Sequence, residues 1–131
     1  MFNELSPILA AHDVQQALDY YEHRLGFEVS GKMGDPIEYA IVSRDGFSIH
    51  FKRIDEPLTA EGAFTGNLNA GKGGVYILVD DVDRVAAELV QRGAAESIIP
   101  EDKEYGMRDF WVPDPFGYAI AFGSPQPAAQ P

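Results

Sequence analysis

The chain has 131 residues, 45% of them hydrophobic, a formal charge of −11 and no cysteine. This length makes one ordinary domain or two small halves sharing a core. The missing thiols exclude disulfides and thiolate metal sites, and the acidic excess speaks against nucleic acid, whose phosphates call for clustered Lys and Arg. No apolar run approaches the roughly 18 residues of a membrane span. No basic region followed by an apolar stretch opens the chain, as it would in a secretory signal. The expectation is a cytoplasmic protein with no membrane partner, and the absence of cysteine agrees with a reducing compartment.

In chain order, Leu5 to Ala11 reads as a strand, with Pro7 suggesting an edge position or the hinge of an exchanged arm. Asp13 is placed to cap a helix, with Gln16 as its capping partner. Val14, Ala17, Leu18, Tyr21 and Leu25 follow at helical spacing, and Gly26 is the stop. Phe27 to Ser30 resumes as strand, and Gly31 to Pro36 is rich in breakers and predicts a turn. Glu38 to Ser43 and Phe47 to Lys52 form a hairpin around Arg44-Asp45-Gly46. Arg53 to Gly73 has no clean period and reads as a long connection. Gly74 to Val79 is again a strand. Asp81 caps a second helix with Val82, Val85, Ala86, Leu89 and Val90 on its buried stripe, ended by Gly93. Ala95 to Ile99 predicts a short strand, Pro100 to Gly106 a charged loop, and Arg108 to Val112 with Tyr118 to Gly123 a last hairpin. The Pro- and Ala-rich tail from Ser124 to Pro131 is expected to fray.

The order strand, helix, three strands therefore occurs twice. Asp13 to Gly26 is echoed by Asp81 to Gly93, and Gly46 to Phe51 by Gly117 to Phe122, at offsets of 68 and 71 residues. In the second echo a turn glycine is followed by an aromatic, a small residue, Ile, a variable residue and Phe. The variable residue is His50 in one copy and Ala121 in the other. Neither half has core enough to be stable alone, so the halves should pack together or against a second chain.

Three segments carry a resemblance. They are A-A-H-D-V-Q-Q-A-L-D-Y-Y-E-H-R-L-G-F in the first half, V-D-D-V-D-R-V-A-A-E-L-V-Q-R-G in the second, and Y-G-M-R-D-F-W-V-P-D-P-F-G-Y near the end. Over residues 4 to 123 the chain resembles the vicinal-oxygen-chelate superfamily, also called the glyoxalase/bleomycin-resistance/dioxygenase fold. The last segment looks most like the bleomycin-resistance branch. The resemblance implies an α+β fold of two tandem βαβββ modules whose curved mixed sheets form a cavity. Module one would span about 4–53, the connection about 54–73, module two about 74–123 and the tail 124–131.

In the family's enzymes the cavity holds a divalent metal on His, Glu or Gln from the first and last strand of each module. By position those places fall on Ser6, His50, Gly74 and Ala121. Only His50 is a competent ligand, and a transition metal needs about three from the protein. The implied reading has no metal and no cofactor. Strand parity then puts Ile8, Ser48, Tyr76, Leu78 and Ala119 on the cavity face with those positions. Leu9, Ile49, Phe51, Val75, Ile77, Ile120 and Phe122 go to the core. The resulting lining is small, apolar and aromatic, without a carboxylate.

Bleomycin-binding members carry an aromatic, usually Trp, where Tyr105 stands, stacked on the flat part of the drug. Phe110 and Trp111 point to opposite faces of one strand, one to the core and one to the cavity or an interface. Arg108 reads as a loop anchor, Asp114-Pro115-Phe116-Gly117 as a turn, Glu101, Asp102 and Glu104 as solvated, and His12 and His23 as surface. The expected function is metal-free binding of a small organic molecule, such as a cationic or aromatic antibiotic, by a homodimer. The expected ligand-binding residues are Ile8, Ser48, His50, Tyr76, Tyr105 and Trp111, with no catalytic residue. The alternative is a metal-dependent lyase, isomerase or dioxygenase of the same superfamily.

Overall fold

The computed structural model describes residues 1–56 and 73–127. Two modules follow one another. The first runs β1 (Ile8–Ala11), α1 (Val14–His23), β2 (Glu28–Met33), β3 (Tyr39–Arg44) and β4 (Phe47–Arg53). The second runs β5 (Gly74–Leu78), α2 (Val82–Gln91), β6 (Glu101–Asp102), β7 (Met107–Pro113) and β8 (Ala119–Pro125). Each builds a four-stranded mixed sheet, ordered β1-β4-β3-β2 and β5-β8-β7-β6. In both, the first strand pairs parallel to the last and the remaining pairs are antiparallel. The duplication seen in the sequence is therefore a duplication of topology. No described helix is long and apolar enough to cross a membrane.

Local chemistry accounts for the elements. The Asp13 carboxylate accepts from the Gln16 N–H at 3.1 Å and Asp81 does the same for Arg84 at 3.2 Å, so both helices begin on a capped amide. The β3–β4 turn places Asp45 at φ 52° and Gly46 at φ 85°, two successive left-handed residues that let two strands with right-handed twist meet in a tight hairpin. Pro7 precedes β1, an edge strand, and its carbonyl accepts from the His50 N–H.

The helices cover one face of each sheet. Leu9, Ile49, Phe51, Ile120 and Phe122 are buried beneath them, and Val75 and Ile77 pack against the same core. Residues of both modules join one core cluster, so the halves pack together within the chain. Polar links reinforce the join. Tyr21 donates to Asp114 at 2.7 Å, Arg24 to the Arg92 carbonyl at 2.7 Å, Arg44 to Glu88 at 2.7 and 2.8 Å, and Tyr118 to the Ala10 carbonyl at 3.1 Å.

Four boundaries differ from expectation. The first strand begins at Ile8 rather than Leu5. β2 runs on to Met33 past a bulge between Val29 and Gly31, so Gly31 to Met33 is strand and not turn; Ser30 is the extra residue, and Gly31 pairs with Ile41 so that the ladder continues. Ala95 to Ile99 is not a strand. Ala94 and Ile98 reach the core by packing, and the edge of the sheet is completed only at Glu101–Asp102. Ser124 and Pro125 continue β8, and Ser124 is buried with its hydroxyl accepting from the Val82 N–H at 3.3 Å. Pro57 to Lys72 of the expected connection, and the tail from Ala128, lie outside the described residues.

Candidate functional site

The face of each sheet turned away from its helix carries the residues expected to meet a ligand. On the first sheet Ile8 and Ile41 flank His50 on β1 and β3. His50 is half-buried, and its Nδ1 lies 2.7 Å from the Tyr39 hydroxyl, with the two rings edge to face at 5.5 Å. Ser48 continues the row through Ser43 at 3.0 Å and Ser43 to Ser30 at 2.8 Å, a ladder of neutral hydroxyls. Ile8 is 61% exposed. Ile8, Ser48 and His50 are thus brought together as expected.

On the second sheet Tyr76 and Trp111 flank Ala121 in the same way. Phe110 is buried and stacked on Phe122 at 5.2 Å, so Trp111 is the one that faces out, 37% exposed. Leu78 is exposed too. Ala119, expected on this face, does not open onto it. It is buried, where the bare backbone of Gly74 approaches its carbonyl. Tyr105 is exposed on the loop before β7, and the Gln126 side chain holds that loop by donating to the carbonyls of Lys103 and Met107.

Sequence reasoning missed the centre of this second face. Asp109 shares the Trp111 side of β7, and its carboxylate receives Tyr76 at 2.9 Å, Tyr105 at 2.5 Å and Lys103 at 2.7 Å. The expectation of a lining without carboxylate is therefore corrected. That parity reading covered β1, β4, β5 and β8 only. Counting two residues back from Trp111 on β7 would have found it. Burial pushes the Asp109 carboxyl upward, but hydrogen bonds from Lys103, Tyr105 and Tyr76 outweigh it and hold the group below its ordinary range. The Tyr76 hydroxyl is pushed well up by burial and by the Asp109 carboxylate, and that of Tyr105 by its hydrogen bond to the same group. Tyr76 can lie across the sheet because Gly123 has no side chain; a Cβ there would collide with the tyrosine hydroxyl. Beside this cluster, a recess of about 310 Å³ is lined by Ile98, Ile99, Lys103, Asp109, Trp111 and neighbours along the open edge of β7.

The remaining singled-out residues have structural partners. Arg108 bridges Asp83 at 2.9 Å and Asp102 at 3.2 Å, tying α2 to β6. Asp114 opens its turn as expected, but it is buried and also accepts from Tyr21 of the other module. His12 is corrected from a surface residue to one whose ring packs edge-on against Phe116 at 5.3 Å. His23 is exposed beside Glu22.

The four places where a divalent metal would be held do not fit one. Ala121 and Gly74 have no donor atom. A side chain at Gly74 would run into the Ala119 carbonyl. Ser6 precedes β1 and donates to Glu4 at 3.3 Å. His50 has Nδ1 committed to Tyr39. Among the described residues no three His, Cys, Asp or Glu side chains converge as a metal site.

Solved structures share this architecture. A bleomycin-binding protein from bleomycin-producing Streptomyces verticillus, complexed with copper(II)-bleomycin, matches with a TM-score of 0.68 at 24% identity over 96% of this chain and 98% of its own. TnmS3, an antibiotic-binding protein from Streptomyces sp. CB03234, matches at 0.71 and 22% identity over 96% and 98%. A glyoxalase/bleomycin resistance protein/dioxygenase from Nocardioides matches at 0.71 and 19% identity over 100% and 88%. No curated protein sequence matches. At these identities the likeness is one of fold. The family model described as Glyoxalase/Bleomycin resistance protein/Dioxygenase superfamily matches residues 4–122, and the chain belongs to that superfamily.

Proposed function

We propose that this protein binds a small organic molecule, aromatic or cationic and of the antibiotic kind, and holds it without a metal and without transforming it. One observation carries the reading. At the places where an enzyme of this superfamily would bring metal ligands together, the second sheet presents Ala121 between Tyr76 and Trp111, with Tyr105 beside them. Such a face offers flat area for stacking, with the Asp109 carboxylate already bonded to Tyr76, Tyr105 and Lys103. The bleomycin-binding and antibiotic-binding proteins of the same fold support it. In this reading the whole chain works as one domain in the cytoplasm and pairs as a homodimer, a second chain covering the apolar groups that Ile8, Leu78 and Trp111 expose.

Calorimetric titration with bleomycin tests the drug. Binding is expected at low salt and should weaken as salt rises, because the formal charge of −11 attracts a cation at long range. No heat and no thermal shift at saturating drug would remove bleomycin as the ligand. Stoichiometric Ni, Zn, Mn or Fe bound with nanomolar affinity on elemental analysis would overturn the metal-free reading in favour of a metal-dependent enzyme.

A further inference from the structure

We infer that Asp109 selects ligands bearing an ammonium group, and that Lys103 is a built-in competitor occupying the ammonium's place until a ligand displaces it. The inference rests on the proposed reading of the second sheet's open face as a ligand site.

Asp109 is only 6% exposed, and the side-chain hydrogen bonds to its carboxylate come from Tyr76, Tyr105 and Lys103. The two hydroxyls are neutral, so the balancing charge is the single ammonium of Lys103. A buried carboxylate that loses such a partner is costly unless another cation takes its place. The lysine is built for exchange. Its backbone is fixed, with its N–H donating to the Met107 carbonyl and its own carbonyl accepting from Gln126, both at 2.7 Å. Its side chain is 35% exposed and already lies within 3.6 Å of the solvated Glu101, so it can swing outward without breaking the loop. The recess of about 310 Å³ beside Lys103, Asp109 and Trp111 is open to an incoming molecule.

An amine entering there would set its cation on the Asp109 oxygen that Lys103 holds, next to the oxygen that the two tyrosines bond, and its apolar body against Trp111. One ammonium would replace another, leaving no buried charge unpaired. The first sheet offers no such selection, since the place equivalent to Asp109 is held by the neutral Tyr39. A purely structural role, fastening the loop to the sheet, would also explain the hydrogen bonds. It would not make the site prefer amines, nor make it bind them better once the lysine is gone.

The test compares tryptamine with its uncharged analogue 3-ethylindole by NMR titration of the full-length chain, in the wild type, Lys103→Met, Lys103→Gln and Asp109→Asn. Tryptamine should bind the wild type more tightly than 3-ethylindole. Lys103→Met should tighten tryptamine roughly tenfold and leave 3-ethylindole unchanged, and Asp109→Asn should remove the preference. Lys103→Gln keeps a donor for Asp109 and should tighten tryptamine in the same direction, which guards against poor folding of the methionine variant. Equal affinity for the two indoles, or no gain in a folded Lys103 variant, would overturn the inference. Bleomycin binding that is the same in all four proteins would sink it too while leaving sequestration itself standing.

Discussion

The two open faces are built on one pattern and carry opposite chemistry. Strand register aligns them residue by residue: Ile8 with Tyr76, Ile41 with Trp111, His50 with Ala121, Tyr39 with Asp109 and Lys52 with Gly123. The first face gathers neutral hydrogen-bonding groups, the Tyr39–His50 pair and the Ser30–Ser43–Ser48 ladder. The second gathers aromatic surface around one balanced carboxylate. Where the first has Lys52, the second has nothing, and Tyr76 fills the space. Duplication has kept the backbone and let the exposed residues diverge, because a strand's outward positions can change while its inward ones must keep filling the core.

The comparison can be broken first at the turns. Ser43 and Asp114 occupy equivalent places before the two turn glycines, yet Ser43 joins a half-buried ladder while Asp114 is buried and accepts from Tyr21, Phe116 and Tyr118. Asp114→Ala should cost about 3 kcal/mol in urea denaturation, because it orphans three donors, whereas Ser43→Ala should cost less than about 1 kcal/mol. Equal costs would mean the second turn does not join the modules. At the next pair, Gly74→Ala should destabilise by about 2 kcal/mol, since its Cβ meets the Ala119 carbonyl. Ser6→Ala should stay within about 0.5 kcal/mol, its hydroxyl being bonded only to a near neighbour. A stable Gly74→Ala protein would show that β5 can shift.

A third contrast concerns binding. Tyr105→Ala should weaken bleomycin roughly three- to tenfold, the worth of one aromatic contact, with no more than about 1 kcal/mol lost in stability. Unchanged affinity would remove Tyr105 from the ligand face. The finest test is a titration of side-chain carboxyls by NMR. Asp109 should protonate below the ordinary aspartate range and Asp114 above it, the latter because burial outweighs its hydrogen bonds. The signs follow. Asp109 contributes stability above the unfolded aspartate value that is lost as pH falls through its own lower one. Asp114 contributes stability at low pH that is lost as pH rises through its raised one. Coincident titrations would erase the electrostatic difference between the face and the turn.

Much of this was legible in the chain. Helical spacing and the capping aspartates located α1 and α2, because local hydrogen bonds and one buried stripe suffice to specify a helix. The paired turn glycines and the alternation after them located β4 and β8 and sorted Ile49, Phe51, Ile120 and Phe122 into the core. Residue identity alone shows that Ser6, Gly74 and Ala121 offer no His, Glu or Gln. What the sequence left open is whatever depends on neighbours distant along the chain. Ala95 to Ile99 is apolar enough for a strand, and only the packing of Ala94 and Ile98 decides that it is not one. Parity sends Phe110 and Trp111 to opposite faces, but which face is core depends on Phe122. Neither period nor composition singles out Asp109. Tertiary structure made it the centre of a face, because Tyr76 arrives from a strand 33 residues away in sequence. Period and composition report how a residue relates to its own strand or helix; which groups share a buried charge is settled only when the strands are laid side by side.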